Sequence, residues 1–486
     1  MYRAFSAAAL LCAAAPLPAA PVQPADLLAH IEVLASDAYE GRKPGTAGET
    51  KTWSYIAAAL ARAGLQPAGA GGSWYQPVPL AERRPVGHRA LWSANGKPLA
   101  FDQDDLVVLG RDPQVQLAGA PVWFAGHGIE QQIAGAELDG AVVLVLFQGP
   151  GLPGFPSFSE RARTLTEAGA AAVIGVVAEE TPWSAIQAAY AQGQNRLGSD
   201  PLSRVQGAIG LAAASALIGQ AGGDFGEIAN REFGNAFRAI RLPLTVDLDV
   251  STTVRAYTSH NVAGRLPGRG TPTESVLLLG HWDHLGAECA ATGDRICNGA
   301  VDNASGIAML IEAAERLAQA PRGDRDILVL ATTAEEIGLL GAEQFARTPL
   351  VPLPSIVAAV NADTVAVAPK GQPVAILNRS NTPLDAIIDT TARELGRTVD
   401  ADLDANAFIP RQDGWALTRA GVPAIMVGGS FSDLKLLERF LAGAYHKPGD
   451  DLAAAIELGG AAEDTDLLVA IVHKLADSRV YQPPAR

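Results

Sequence analysis

Groups that can bind a metal ion directly follow three apolar runs in this 486-residue sequence. The runs are Ser275–Leu279, Asp326–Ala331 and Ile356–Val360, and each is followed within a few positions by histidine or acidic residues. These residues are His281, Asp283, Glu335, Glu336 and Asp363. Two more candidates lie on expected loops: Asp302 in DNASG and His446 in AYHKPGDDL, where Pro and Gly favour a loop.

Histidine and carboxylate ligands without thiolate suit zinc or a similar divalent ion. Two histidines and three carboxylates are enough for two ions if one carboxylate bridges them. Paired ions polarise a carbonyl group and generate hydroxide near neutral pH. Because Glu335 and Glu336 are adjacent, we expect one to bind metal and the other to carry the proton of the attacking water.

The elements that must position these groups alternate between strand and helix from about Asn261 onward. This order predicts an α/β fold with a mostly parallel, mixed sheet and helices on both faces. A fourth strand is expected at Ala424–Val427. The helix after Asp302 is expected to present one apolar face, formed by Ile307, Leu310, Ile311, Ala314 and Leu317. Ligands of such sheets bind at the carboxyl ends of the strands, so the candidate residues should meet at one edge.

The chain is expected to have four segments. Residues 1–20 form a signal peptide, 21–109 the N-terminal part of the catalytic domain, 110–250 a small β-rich insert, and 251–486 the main part of the catalytic domain. The signal predicts a periplasmic or extracellular protein, with a lipoprotein anchored at Cys12 as the lesser alternative. No later segment reaches about 18 unbroken apolar residues, so no membrane span is expected.

Charge and cysteine content limit the partners and the redox setting. A net charge of −15 argues against nucleic acid or an anionic membrane as a partner. Removal of the signal leaves Cys289 and Cys297, which we expect to pair on the loop between His281 and Asp302. The alternative is that the two cysteines bind metal, although no further Cys remains to complete a thiolate site.

The ordered set HWDHLG, GDRICNGAVDNASG, AEEIGLLGAE, NADT and YHKPGDD resembles peptidase family M28, the aminopeptidases with two cocatalytic zinc ions. The resemblance spans roughly residues 261–451 and implies the zinc-dependent exopeptidase fold. The N-terminal segment ASDAYEGRKPGTAGE also resembles that family, and the insert resembles a protease-associated domain.

The resemblance implies a role for each matching residue. His281 and Asp363 would bind one ion, Glu336 and His446 would bind the other, and Asp302 would bridge the two. Asp283 would hydrogen-bond the His281 imidazole and fix its tautomer. Glu335 would be the general base and later the acid, and Tyr445 would stabilise the oxyanion. His284 is expected to be a structural neighbour of the site rather than a ligand.

This sequence departs from the family pattern at two places. Many relatives have Tyr where Cys297 stands, so the disulfide is a local variation. A stretch that often reads Ser-Asp-His is Gln412-Asp413-Gly414 here, which puts substrate contacts from that loop in doubt.

The function expected from these features is that of a secreted exopeptidase with two Zn²⁺ per chain, or another divalent metal in one site. It would be an aminopeptidase that removes N-terminal residues from short peptides. A carboxypeptidase or dipeptidase of the same family stays open, as does a glutaminyl-cyclase-like acyl transferase with a single working zinc. A metal-free binding protein is disfavoured because all five ligand positions are kept. The oligomeric state is left open.

Overall fold

The computed structural model describes residues 20–152, 155–201, 203–230, 237–379, 382–453 and 456–484. Except for residue 20, the expected signal peptide lies outside the described residues, as does Cys12. The chain forms two compact units: unit 1 ends at Val78 and resumes at Thr258, and unit 2 is Pro79–Tyr257. Among the described helices, none is long and apolar enough to span a membrane.

The strands are numbered in chain order. They are β1 (Gln66–Pro67), β2 (Tyr75–Ala94), β3 (Lys97–Pro98), β4 (Leu106–Gly110), β5 (Gln114–Phe124), β6 (Val142–Leu146), β7 (Ala172–Val177), β8 (Gln194–Leu197), β9 (Val205–Gly210), β10 (Ile240–Leu266), β11 (Ser275–His281), β12 (Asp326–Thr332), β13 (Ile356–Asn361), β14 (Ala375–Leu377) and β15 (Ala424–Gly428).

The α-helices follow the same numbering. They are α1 (Pro24–Leu34), α2 (Ala47–Arg62), α3 (Glu130–Ile133), α4 (Phe158–Glu167), α5 (Trp183–Ala191), α6 (Leu211–Gln220), α7 (Phe225–Asn230), α8 (Gly306–Gln319), α9 (Leu340–Arg347), α10 (Pro383–Glu394), α11 (Gly414–Arg419), α12 (Leu434–Ala442) and α13 (Leu458–Leu475).

The sheet of unit 1 has the order β14-β15-β13-β11-β12-β10. β15, β13, β11 and β12 are parallel, whereas β14 and the end of β10 are antiparallel to their neighbours. The predicted mostly parallel, mixed sheet is confirmed. The four predicted strands each extend one or two residues further at the carboxyl end, which brings His281 into β11 as its last residue.

Helices cover both faces of this sheet, as predicted. Val276 and Leu278 of β11 pack into the core that contains α8 and α13, while Leu277 and Leu279 pack against α9 and α11. Side chains alternate between the faces of a strand, so a continuous apolar run supplies both cores. Each fully buried aliphatic side chain contributes about 1.5–3 kcal/mol relative to exposure.

Helix α8 is buried more completely than its sequence pattern suggests. Besides the predicted face, Ala308, Met309 and Ala313 are buried. The helix packs against β11 on one side and contacts α1, α2 and α13 elsewhere. The predicted apolar face is buried as expected, and burial extends beyond it because this helix lies between the sheet and other helices.

Unit 2 has a core of its own. β5, β6, β7 and β9 are parallel, and β4 pairs antiparallel with β9. Strands make up more of unit 2 than helices, as predicted for a β-rich insert, but the unit also contains the helices α3–α7. The helical content was underestimated because short Ala- and Gly-rich segments such as α6 show little amphipathic pattern. Its identity as a protease-associated domain stays a prediction.

The predicted insert boundaries also differ from the structure. The insert was expected at residues 110–250, whereas unit 2 runs from Pro79 to Tyr257. The start was missed because it falls inside β2, whose residues from Leu80 onward pair with β8. The end likewise falls inside β10. A strand that contains a boundary shows no turn or linker signal in the sequence.

Candidate metal centre

The candidate ligands lie in unit 1 at the carboxyl edge of the sheet. His281 ends β11, Glu336 follows β12 and Asp363 follows β13. Asp302 lies just before α8, and His446 lies on the loop after α12. The expectation that separate loops bring these residues together agrees with this placement.

His281 is at the centre of the first group. Its Nε2 lies 3.3 Å from Asp302 Oδ1 and 3.5 Å from Asp363 Oδ1. Glu335 Oε2 is further away, at 4.0 Å from the same nitrogen. His281 is 1% exposed, so these groups interact with little screening by water.

His446 forms the second group with Glu336 and Asp302. Its Nε2 lies 2.9 Å from Glu336 Oε2 and 3.3 Å from Asp302 Oδ2. The two oxygens of Asp302 therefore face two different imidazoles. This is the arrangement that a bridging carboxylate requires.

The donor set fits divalent cations. The buried Nε2 atoms of His281 and His446 are aligned for no hydrogen bond within the part of the chain that the structure describes. Ligand atoms of His281, Asp302 and Glu336 lie within 4.8 Å of one another, as do those of His281, Glu335 and Asp363. Buried nitrogens without hydrogen bonds, surrounded by carboxylate oxygens, are groups that a cation would satisfy.

The electrostatics of the centre are those of concentrated negative charge. Burial alone would lower the pKa of His281, but the carboxylates of Glu335, Asp302 and Asp363 raise that pKa well above its ordinary value. Burial would also lower the pKa of His446, but the carboxylates of Asp302 and Glu336 raise that pKa to about 9. A bound cation would compensate the same negative charge.

Glu335 differs electrostatically from its neighbour Glu336. Burial is the main cause that raises the pKa of Glu335 well above its ordinary value, and the nearby acids Glu336 and Asp363 add to it. Burial and Asp302 would also raise the pKa of Glu336, but the neighbouring imidazoles of His284 and His446 lower it overall. Glu335 is thus the acid with the greater affinity for a proton.

Asp283 supports the site differently from the prediction. The Nδ1 of His281 lies 3.2 Å from the main-chain carbonyl oxygen of Asp283, and 3.9 Å from its carboxylate Oδ1. The Asp283 carboxylate instead accepts the backbone N–H of Glu335 at 3.1 Å. The carbonyl therefore orients the imidazole, because Asp283 lies only two residues after His281 and its side chain turns toward Glu335.

Tyr445 lies over the second group. Its ring stacks on the His446 imidazole with a centroid distance of 3.7 Å. Arg411 Nη2 donates a hydrogen bond to the Tyr445 oxygen at 3.2 Å. Burial, with Asp302 and Glu336, raises the pKa of Tyr445 above its ordinary value, so the phenol keeps its proton.

His284 is a buried neighbour of the centre, as expected. Its Nδ1 lies 2.5 Å from Glu336 Oε1, the carboxylate oxygen that does not face His446. It therefore orients Glu336 in the way that hydrogen-bonded neighbours orient metal-binding carboxylates.

Three buried residues that support the centre were missed from the sequence. Asp450 bonds the backbone of Asp302, Asn303 bonds the backbone of His281, and Arg42 bonds the loop before Asp302. All three stand in quoted motifs: Asn303 in DNASG, Asp450 in YHKPGDD and Arg42 in EGRKPGT. The signal available in the sequence was an arginine inside a motif, or an acid close to a predicted ligand. This signal did not identify the partners, because they are backbone groups distant in sequence.

The disulfide between Cys289 and Cys297 is present, as predicted. Cys297 is buried and its N–H donates to the carbonyl oxygen of Gly286 at 3.0 Å. The bond closes the loop that leads from His281 toward Asp302. The cysteines are therefore not metal ligands.

The fold and the site together define a metal-binding α/β enzyme. Residues 261–472 match the model of peptidase family M28. The predicted family and the predicted enzyme class, a metallopeptidase, are confirmed.

A solved structure with a TM-score above 0.5 supports the fold. An aminopeptidase from Aneurinibacillus sp. strain AM-1 is 17% identical, covers 93% of this chain and 94% of its own, and gives a TM-score of 0.54. A zinc aminopeptidase from Bacillus subtilis is 19% identical with coverages of 95% and 97% and a TM-score of 0.46. A peptidase M28 precursor from Shewanella amazonensis SB2B is 19% identical with coverages of 96% and 100% and a TM-score of 0.44. No curated protein matches the chain in sequence.

Proposed function

We propose that this protein is a zinc-dependent aminopeptidase that holds two ions per chain and removes N-terminal residues from short peptides. The observation that carries the proposal is the placement of Asp302, whose two oxygens each lie 3.3 Å from a different imidazole nitrogen. His281 and Asp363 would hold one ion, and Glu336 and His446 the other. When bound, the ions would supply Lewis-acid activation of a carbonyl group and of water.

The protein groups divide the remaining work. Glu335 accepts the proton of the attacking water and returns it to the departing amine. Its backbone is fixed by Asp283, so the carboxylate does not have to be ordered at the moment of reaction. Tyr445 accepts from Arg411, which leaves its own O–H free to donate to the oxygen on which negative charge develops.

An apolar pocket adjoins the centre and supports a preference for an apolar N-terminal side chain. Asp363 and Tyr445 lie on its metal side. Thr364, Arg411 and Gln412 also line the pocket, and its apolar lining comes from five residues: Phe408, Met426, Phe431, Leu437 and Leu441. Such a lining would stabilise an aliphatic or aromatic side chain by removing it from water.

We also propose that the protein is exported to a periplasm or the extracellular space. The support is the pattern of residues 1–20, with one early Arg3, an apolar run and small residues before the expected cleavage point. The test is to recover the protein from the periplasm or the medium of the producing cells and to measure its mass, which shows whether the signal has been removed. An intact N-terminus on protein found only inside the cell would contradict it.

The central experiment measures metal content and peptidase activity together. The purified protein should contain two zinc ions per chain and hydrolyse leucyl-4-nitroanilide. A chelator should abolish the activity, and zinc should restore it. Hydrolysis that continues at the same rate in the presence of the chelator would refute the proposal.

A blocked substrate separates the alternatives. N-acetyl-leucyl-4-nitroanilide should not be hydrolysed by an aminopeptidase, which requires a free N-terminus. Hydrolysis of N-blocked dipeptides would favour a carboxypeptidase. Cyclisation of N-terminal glutamine without hydrolysis would favour the acyl transferase.

A further inference from the structure

Two buried side chains that are not expected to bind metal hold the segment that carries Asp302. Asn303 and Asp450 are both 0% exposed. One lies next to Asp302 in sequence and the other comes four residues after His446. Both make hydrogen bonds to backbone groups that flank ligand residues.

Asn303 connects Asp302 to the segments of His281 and Asp363. Its Nδ2 donates to the carbonyl oxygen of His281 at 3.2 Å and to that of Ala362 at 3.0 Å. Its Oδ1 accepts from the backbone N–H of Thr364 at 3.3 Å and of Gly306 at 3.0 Å. A single amide thus bonds His281 itself and both chain neighbours of Asp363.

Asp450 connects Asp302 to the loop of His446. Its Oδ2 accepts from the Asp302 N–H at 3.0 Å, and its Oδ1 accepts from the Val301 N–H at 2.8 Å. Its own backbone carbonyl accepts from the Ala300 N–H at 3.1 Å, and its N–H donates to the Lys447 carbonyl oxygen. The loop that presents His446 is therefore attached to the backbone of the bridging residue.

The two sets of contacts involve different ligands, because Asn303 bonds the segments of His281 and Asp363 whereas Asp450 belongs to the loop of His446. We propose that Asn303 and Asp450 are positioning residues that act on different ions: Asn303 on the ion held by His281 and Asp363, and Asp450 on the ion held by Glu336 and His446. This inference rests on the proposed two-ion function. Side chains that orient ligands typically change metal affinity by about 10–100-fold when removed.

The test is a stepwise titration of the metal-free protein with Co²⁺, followed by visible absorption. Asp363→Ala and His446→Ala each remove a ligand of one ion only. The binding step that each variant loses therefore identifies the ion to which that step belongs. Asn303→Ala should raise the dissociation constant of the step missing in Asp363→Ala by about 10–100-fold, and change the other by less than about 3-fold. Asp450→Asn, which keeps the shape but presents an NH₂ group to one backbone N–H, should do the reverse.

Asp326→Asn is the matched control. Asp326 also accepts a backbone N–H, from Gly268 at 2.9 Å, but it begins β12 at the end of the strand opposite the centre. This variant should leave both steps unchanged. Circular dichroism must show native folding for every variant; if Asn303→Ala does not fold, Asn303→Ser is measured in its place.

The outcomes separate this inference from the proposed function. Wild-type protein that takes up fewer than two ions counts against the proposed function. Wild-type protein with two ions, but with variants that weaken both steps equally or neither step, overturns the selective positioning.

Discussion

Glu335 and Glu336 are adjacent in sequence, yet their surroundings give them different chemistry. Glu336 is hydrogen-bonded to His284 and lies 2.9 Å from His446 Nε2, whereas the Glu335 side chain lies 4.0 Å from His281 Nε2 and is held through its backbone. Consecutive residues on a loop point in different directions, so one can bind metal while the other moves protons. The same separation of roles was expected from the pair alone.

Replacement of Glu335 by Gln should abolish most turnover without loss of metal. The amide keeps the size of the side chain but cannot accept a proton, so kcat should fall by about 10²–10⁴-fold. Steady-state kinetics and metal analysis of the same sample measure both effects. Glu336→Gln is the matched control and should lose metal. If Glu335→Gln instead lost zinc with little kinetic change, the two roles would be reversed.

The candidate ligands could be predicted because each follows a recognisable strand or motif. His281, Glu336 and Asp363 come directly after apolar runs, and parallel strands bring such positions to one edge. The supporting residues could not be predicted in the same way. Asn303, Asp450 and Arg42 act on backbone groups up to 257 residues away in sequence, and no local pattern records those partners.

At the scale of elements, the segment between β11 and α8 is held by hydrogen bonds from a residue much earlier in the chain. Arg42 is fully buried and donates to the carbonyl oxygens of Trp282 and Gly299, each at 2.8 Å. Its Nη1 also donates to the carbonyls of Leu34 and Asn298. Burial lowers the pKa of Arg42 to about 10, and nearby acids such as Asp450 and Asp302 oppose that shift, so it stays charged at neutral pH.

Replacement of Arg42 by Met should destabilise unit 1 by about 3 kcal/mol or more, because buried carbonyl groups lose their donors. Arg42→Lys should recover only part of this loss, since an ammonium group cannot reach four carbonyls in a fixed planar arrangement. Urea unfolding of the metal-loaded protein measures the change. Arg269→Lys, in an exposed ion pair with Asp324, should cost less than about 1 kcal/mol. Equal effects at the two positions would contradict this account.

The Cys289–Cys297 bond stabilises the same segment. The bond joins residues eight positions apart, and removal of such a crosslink is expected to cost about 2–3 kcal/mol. The double variant Cys289→Ala, Cys297→Ala should therefore unfold at a lower temperature and release zinc faster to a chelator. A reductant that does not bind zinc should reproduce the shift in wild-type protein and leave the double variant unchanged. If the reductant shifted the unfolding temperature of the double variant by the same amount, a group other than this disulfide would be responsible.

At the scale of the whole molecule, the two units have separate cores. Val276 and Leu310 belong to a core cluster made only of unit 1 residues, and Val142 and Ile174 to one made only of unit 2 residues. All candidate ligands lie in unit 1. The division into two units could be predicted from the change in sequence pattern along the chain. The exact positions of the two boundaries could not, because both fall inside long strands.

Excision of unit 2 should therefore leave a folded metal centre. Within unit 1, the Ala263 N–H donates to the Trp74 carbonyl oxygen at 2.7 Å, and Asn261 Nδ2 donates to Gln76 Oε1 at 2.9 Å. Because β2 pairs with β10, Val78 and Thr258 should lie close enough for a two-residue Asn-Gly turn to replace residues 79–257.

The shortened chain should bind two divalent ions with affinities within about 3-fold of the full chain, since the residues that orient the ligands remain. Circular dichroism, thermal unfolding and the Co²⁺ titration measure this, with residues 79–257 produced alone as a control that should bind none. Because the catalytic groups Glu335 and Tyr445 also remain, hydrolysis of leucyl-4-nitroanilide should persist, and any difference confined to longer peptides would assign substrate selection to unit 2. A folded shortened chain that binds fewer than two ions would show that unit 2 supports the centre, contrary to the separate cores.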